Sequence, residues 1–157
     1  MGFLLALSLI LSYVESLLPL NFGAPGMKLG LANLCIVILL YMWGPYEALM
    51  INLLRIMLTG FLFGSFSMIL YSFSGALFSF VCMFLAKRIT RLTIGGVSLV
   101  GGITHNVAQC VVAAITVNTI GVLYYVPVLL IIGAITGLII GYIAGITIPL
   151  IKRLWRI

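Results

Sequence analysis

Few side chains in this sequence can do chemistry, and they fall in short stretches. Thr104-His105-Asn106-Val107-Ala108-Gln109 is the densest polar patch inside an apolar run. His105 and Gln109, at i and i+4, share one helical face, and Asn106 is turned from His105 by about 100°. One face can hydrogen-bond a heterocycle or a polar head group while Asn106 ties to a neighbouring helix. The alternative is that the whole patch is polar glue between helices. Arg55 is flanked by Leu53, Leu54, Ile56 and Met57, too deep for a snorkelling stem alone. Its planar guanidinium suits a carboxylate or phosphate, with a structural pair to Glu15 as the other reading. Glu15 itself can neutralise Lys28 or Arg55, bind a cationic ligand group, or end a solvated helix.

Other chemistries are missing from the pattern. No serine or cysteine nucleophile stands with a base and a second acid, and a lone histidine falls short of a metal site. Cys35, Cys82 and Cys110 lie inside apolar runs without a CxxC spacing, as buried thiols that behave like small hydrophobes do. There is no Walker motif and no GxGxxG following a strand, so the chain cannot power transport by itself. The expectation is a binding protein with no catalytic residue, no metal and no cofactor.

The elements that must position these groups are membrane helices. The 157 residues are 64% hydrophobic and only 6% charged, with a mean hydropathy of +1.38. Soluble domains carry about 25% charged residues, so a water-exposed surface cannot be built from this composition. Period-two alternation is absent, which argues against a membrane β-barrel. A spanning helix needs about 20 apolar residues, giving one all-α transmembrane domain of about six helices: 2–18, 28–43, 45–59, 65–86, 96–118 and 122–148. Residues 2–18 lack a basic segment and a small-residue cleavage site, and are read as a retained first helix.

The net charge of +6 comes from short clusters beside apolar runs, which points to membrane orientation and not to nucleic acid. Clusters at 87–91 and 152–156 place both termini on the cytoplasmic side of a bacterial inner membrane, with Trp155 as an interfacial anchor. The proline-broken segment 19–28 then lies outside, where irregular backbone at membrane depth has to line a cavity or be buried in protein. It is read as a gating loop. The same count puts Glu15, Lys28, Asn33, Asn52 and Arg55 in the outer half of the membrane and His105 near its middle. Asn106 and Gln109 lie progressively further out, and Glu47 near the inner rim. An ionised group at the bilayer centre costs roughly 2.5–3.5 kcal/mol on insertion scales. Convergence of these groups on one leaflet therefore predicts an outward-facing pocket. Gly133, Gly137, Gly141 and Gly145 recur at spacings of four, a stripe that admits a close helix from this chain or from a partner.

Glu15-Ser16-Leu17-Leu18-Pro19, the run Pro25-Gly26-Met27-Lys28-Leu29-Gly30-Leu31-Ala32-Asn33, and His105-Asn106 with Gln109 carry a resemblance. The sequence resembles the small bacterial membrane proteins called the Gx transporter family, also labelled heptaprenyl diphosphate synthase component I. The likeness covers nearly the whole chain in length, order and hydropathy. That family is similar to the substrate-binding S components of energy-coupling factor (ECF) vitamin transporters. The resemblance implies a six-helix bundle whose first external loop closes over a small-molecule ligand, and an energising ECF module as partner. S components meet that partner through an AxxxA-type motif on helix 1, which only Gly2 and Ala6 approximate here. Prenyl-diphosphate synthases hold magnesium on aspartate-rich motifs, whereas this chain has no aspartate. Direct prenyl transfer is not expected. Two further readings remain open: an accessory subunit that presents a lipid diphosphate to a soluble enzyme, and a structural partner in a membrane complex.

Overall fold

The computed structural model describes residues 1–17, 30–89 and 92–155. The expected gating loop 19–28 and Lys28 lie outside the described residues. Those described form six α-helices: α1 (Gly2–Leu17), α2 (Asn33–Met42), α3 (Pro45–Phe63), α4 (Phe66–Ile89), α5 (Ile94–Val117) and α6 (Val126–Trp155). A 3₁₀ turn, Ile120–Tyr125, leads into α6. Four helical segments are long and apolar enough to cross a membrane: α3, α4, α5, and α6 with its preceding turn. α1 and α2 are apolar but shorter. The chain is a multi-pass helical membrane protein.

Several helix ends follow from local chemistry. Residues 30–32, expected inside helix 2, form a turn, because Gly30 sits at φ +85°, a conformation no helix contains. α3 continues through Gly60 to Phe63 because the bare glycine backbone accepts Ile69. A Cβ on Gly60 would lie 2.1 Å from Ile69 Cγ1. Gly64, in an extended conformation, ends it. Thr93 caps α5 by accepting from the Gly96 N–H at 3.3 Å, and Asn118 closes it in the left-handed region. α6 runs past Pro149 to Trp155, with Ile148 and Ile151 still packed in the core.

α2 is the centre of the bundle. Its residues Cys35 to Leu40 are all buried, as expected of a helix that is apolar all round. It packs against α1, α3, α5 and α6. Leu4, Ala48, Phe80, Met83, Val97, Ile140, Ala144 and Ile148 close around it. A second, smaller core of Tyr71, Cys110, Ala113, Val122 and Leu129 lies beside the 3₁₀ turn.

The most extensive contact joins α5 to α6, followed by α4 to α5. The first is a glycine seam. A Cβ on Gly102 would fall 2.2 Å from the Gly133 carbonyl oxygen, one on Gly137 2.7 Å from the Ser98 oxygen, and one on Gly141 2.6 Å from the Gly95 Cα. Three of the four stripe glycines therefore pack within the chain. Gly145 differs: nothing lies within 4 Å of its added Cβ.

Candidate functional site

On α1, Ser8, Ser12 and Glu15 follow one another at spacings of four and three and form one buried face. α3 turns Asn52, Arg55 and Thr59 inward beside Ala48 and Ile56. The two faces meet at Arg55, which is only 4% exposed. Its Nη1 donates to Ser12 Oγ at 3.1 Å and its Nη2 to Asn52 Oδ1 at 2.7 Å. Both acceptors are neutral. Among the described residues Arg55 forms no ion pair, and its Nε has no hydrogen-bond partner. Removing a charge from water costs several kcal/mol even after relaxation, and only good pairing offsets it. Arg55 is thus a buried cation whose fork is incompletely used.

Glu15 is also buried, at 5% exposure, but it does not meet Arg55 directly. Its Oε1 accepts the Gly30 N–H, and the Leu31 N–H at 3.4 Å. These amides belong to the turn that opens α2, so the carboxylate sits at the positive end of that helix dipole. Glu15 and Cys35 remain within electrostatic reach of Arg55.

The α5 face completes the cluster. Gln109 Nε2 lies 3.1 Å from His105 Nε2, and both side chains are buried. Gly75 of α4 is what lets the pair lie flat, since a Cβ there would come within 2.7 Å of Gln109 Cγ and 3.1 Å of His105 Cε1. The other side of the ring faces the opening of α2. An added Cβ on Gly30 would lie 3.2 Å from both His105 Cδ2 and Asn33 Nδ2. Glu15, Asn33 and His105 thus surround the Gly30 turn, with Gln109 beside His105, and Ser12, one turn of α1 from Glu15, carries Arg55 with Asn52 on its other arm.

Asn106 is placed elsewhere. Its Nδ2 donates to the Leu129 carbonyl of α6 at 3.0 Å, and it lies against Gly133. It belongs to the α5–α6 seam. Ser12, Gly30 and Gly75 are the parts that sequence reasoning missed. The Ser8, Ser12, Glu15 spacing was a usable signal for the first of them, because it marks one polar stripe on an otherwise apolar helix.

This arrangement can hold an anion on Arg55 and hydrogen-bond a polar group beside His105 and Gln109. Among the described residues, no three His, Cys, Asp or Glu side chains come together to hold a metal ion. A family model described as heptaprenyl diphosphate synthase component I matches residues 4–147. No curated protein and no solved structure matches the chain.

Proposed function

The chain belongs to the heptaprenyl diphosphate synthase component I family, and we propose that it is a membrane-embedded binding protein for a small anionic molecule. In this reading it works as an S component does, in uptake or transfer of a vitamin or cofactor precursor. The observation that carries the proposal is Arg55: a buried guanidinium with two neutral acceptors and an unused Nε. An anionic ligand group supplies the missing acceptor and a directly bonded countercharge together, which makes a charge-assisted bond. His105 and Gln109 orient a polar ring, and Asn33 and Asn52 add amide contacts. Glu15 holds the turn that opens α2, and with it the position of Asn33. Lys28 and the 19–28 gate enter this proposal from the sequence alone.

The proposal includes an outward-facing site with both termini in the cytoplasm. Lys87 and Arg88 end α4, and Lys152 and Arg153 lie in the last turns of α6, in keeping with the positive-inside rule. Gly2 and Ala6 are exposed on α1, which leaves that face open to an energising ECF module.

The family description favours a second reading, a non-catalytic membrane subunit that presents a lipid diphosphate to a separate synthase. Without any aspartate the chain lacks the usual magnesium-binding motif of prenyl transfer. Native mass spectrometry of the detergent-purified protein separates the two readings. A vitamin-sized adduct present in wild type and lost in Arg55→Ala supports the first. An isoprenoid-diphosphate mass lost in the same variant supports the second. Wild type with no bound small molecule, holding a partner polypeptide instead, refutes both and favours a structural role in a membrane complex.

A further inference from the structure

The opposite end of the bundle carries a feature that the ligand reading does not use. α6 has 30 residues, about 45 Å at 1.5 Å per residue, against a hydrocarbon layer of about 30 Å. Tilt takes up part of the excess, and the charged end takes up the rest, with Lys152 and Arg153 at headgroup level and Ile146 and Leu150 in the hydrocarbon beneath them. On the exposed face of this end, Ile146, Pro149, Leu150 and Arg153 line a groove of about 270 Å³. Their spacing of three, four and seven residues from Ile146 keeps them on one helical face. Ile146 and Leu150 are exposed large apolar side chains. Nothing fills the space beside the neighbouring Gly145.

The charges at this end are not equivalent. Lys87 is committed inside the bundle: its Nζ donates to the Leu40 carbonyl at 2.6 Å and lies 4.5 Å from the Tyr41 ring centroid. Arg88 leans on Phe84. Arg153 is exposed and, among the described residues, takes no hydrogen-bond or ion-pair partner. The chain has two acidic residues against eight Lys and Arg. Glu15 lies toward the other end, and Glu47, in the first turn of α3 at this end, makes no ion pair with Arg153 among the described residues, so the positive charge here exceeds what the chain neutralises. A groove that is apolar at hydrocarbon depth and cationic at its mouth matches one amphiphile with an anionic head.

We propose that this groove binds an anionic phospholipid, its phosphate on the Arg153 guanidinium and an acyl chain along Leu150 and Ile146. The planar fork of arginine takes phosphate oxygens in pairs, and Lys152 adds a second positive charge beside it. This site is independent of the Arg55 cluster.

The test is native mass spectrometry of the full chain from detergent carrying equal amounts of dioleoylphosphatidylglycerol and dioleoylphosphatidylcholine. Wild type retains the phosphatidylglycerol in excess. Arg153→Gln lowers that adduct about five-fold, the effect of one basic residue near an anionic surface, and Arg153→Lys keeps part of it. Arg88→Gln, the same charge change at the same end, leaves it unchanged. Equal retention of both lipids by wild type overturns the proposal, and so does an equal loss in the Arg153 and Arg88 variants. A second copy of the chain, seen as a dimer mass that Arg153→Gln abolishes, would mean that the groove is an interface.

Discussion

The α5–α6 seam and the α1–α3 contact join helices by opposite means. In the seam the backbones touch, with Gly102 against Gly133 and Gly137 against Ser98. In the other contact a charged side chain bridges the gap, from Arg55 to Ser12. Lipid tails are as apolar as leucine, so close packing and not the hydrophobic effect holds membrane helices together. The seam has that packing. The α1–α3 contact has one ring pair, Tyr13 with Phe63 at 4.8 Å between centroids, and the Arg55–Ser12 bond, a kind worth about 0.6 kcal/mol on average in a membrane. The difference teaches a division of labour: α4, α5 and α6 form the scaffold, and α1, α3 and the opening of α2 close a polar site against it. In the function proposed above, an anionic ligand on Arg55 would strengthen the weaker side.

The sharpest way to break this comparison is at the seam. Gly102→Val forces a side chain into backbone and should destabilise the fold by about 3 kcal/mol or more, read as a lower thermal unfolding midpoint in detergent. Next in size is Arg55→Ala, which should lower retention of the bound anion roughly ten- to hundred-fold, as expected for loss of a charge-assisted bond of about 1.5–3 kcal/mol, while the seam stays intact. Glu15→Gln keeps an acceptor for Gly30 but removes the charge at the opening of α2, a loss of about 1 kcal/mol. Faster hydrogen exchange at the Gly30 and Leu31 amides is the readout. Asn106→Ala should cost about 0.6 kcal/mol in stability and leave ligand retention unchanged, unlike Gln109→Ala. Smallest of all, Gly145→Ala should be neutral or stabilise by up to about 1 kcal/mol, because that glycine meets nothing.

The membrane class was legible in the sequence, and so was the pairing of His105 with Gln109, which their spacing of four puts on one face. That Glu15, Arg55 and His105 share one leaflet rests on the positive-inside rule and belongs to the proposal. The glycine stripe was legible as a close-packing face, and its partner left a fainter mark: Ser98 and Gly102 on α5 stand four apart, the same small-residue spacing carried by only two positions. The partners of Arg55 were not legible. Whether it meets Glu15 or Ser12 depends on the rotation of α1 by less than one residue's turn, which spacing does not encode. The turn before α2 was also hidden, since an apolar run shows no periodicity and Gly30 reads as an ordinary helix glycine. The same ambiguity hid the passage of α3 through Gly60, which depends on Ile69 arriving from the next helix.

The central claim is that Arg55 is completed by a bound anion and not by the protein. It is tested most directly by thermal unfolding of wild type and Arg55→Leu, each before and after extensive detergent washing that strips small molecules. The account predicts that stripping lowers the wild-type midpoint and leaves the Arg55→Leu midpoint unmoved. The stripped variant should be at least as stable as stripped wild type, because an incompletely paired buried charge is gone. A wild-type midpoint indifferent to stripping, with Arg55→Leu strongly destabilised in both states, would contradict it and make Arg55 a structural tie between α1 and α3.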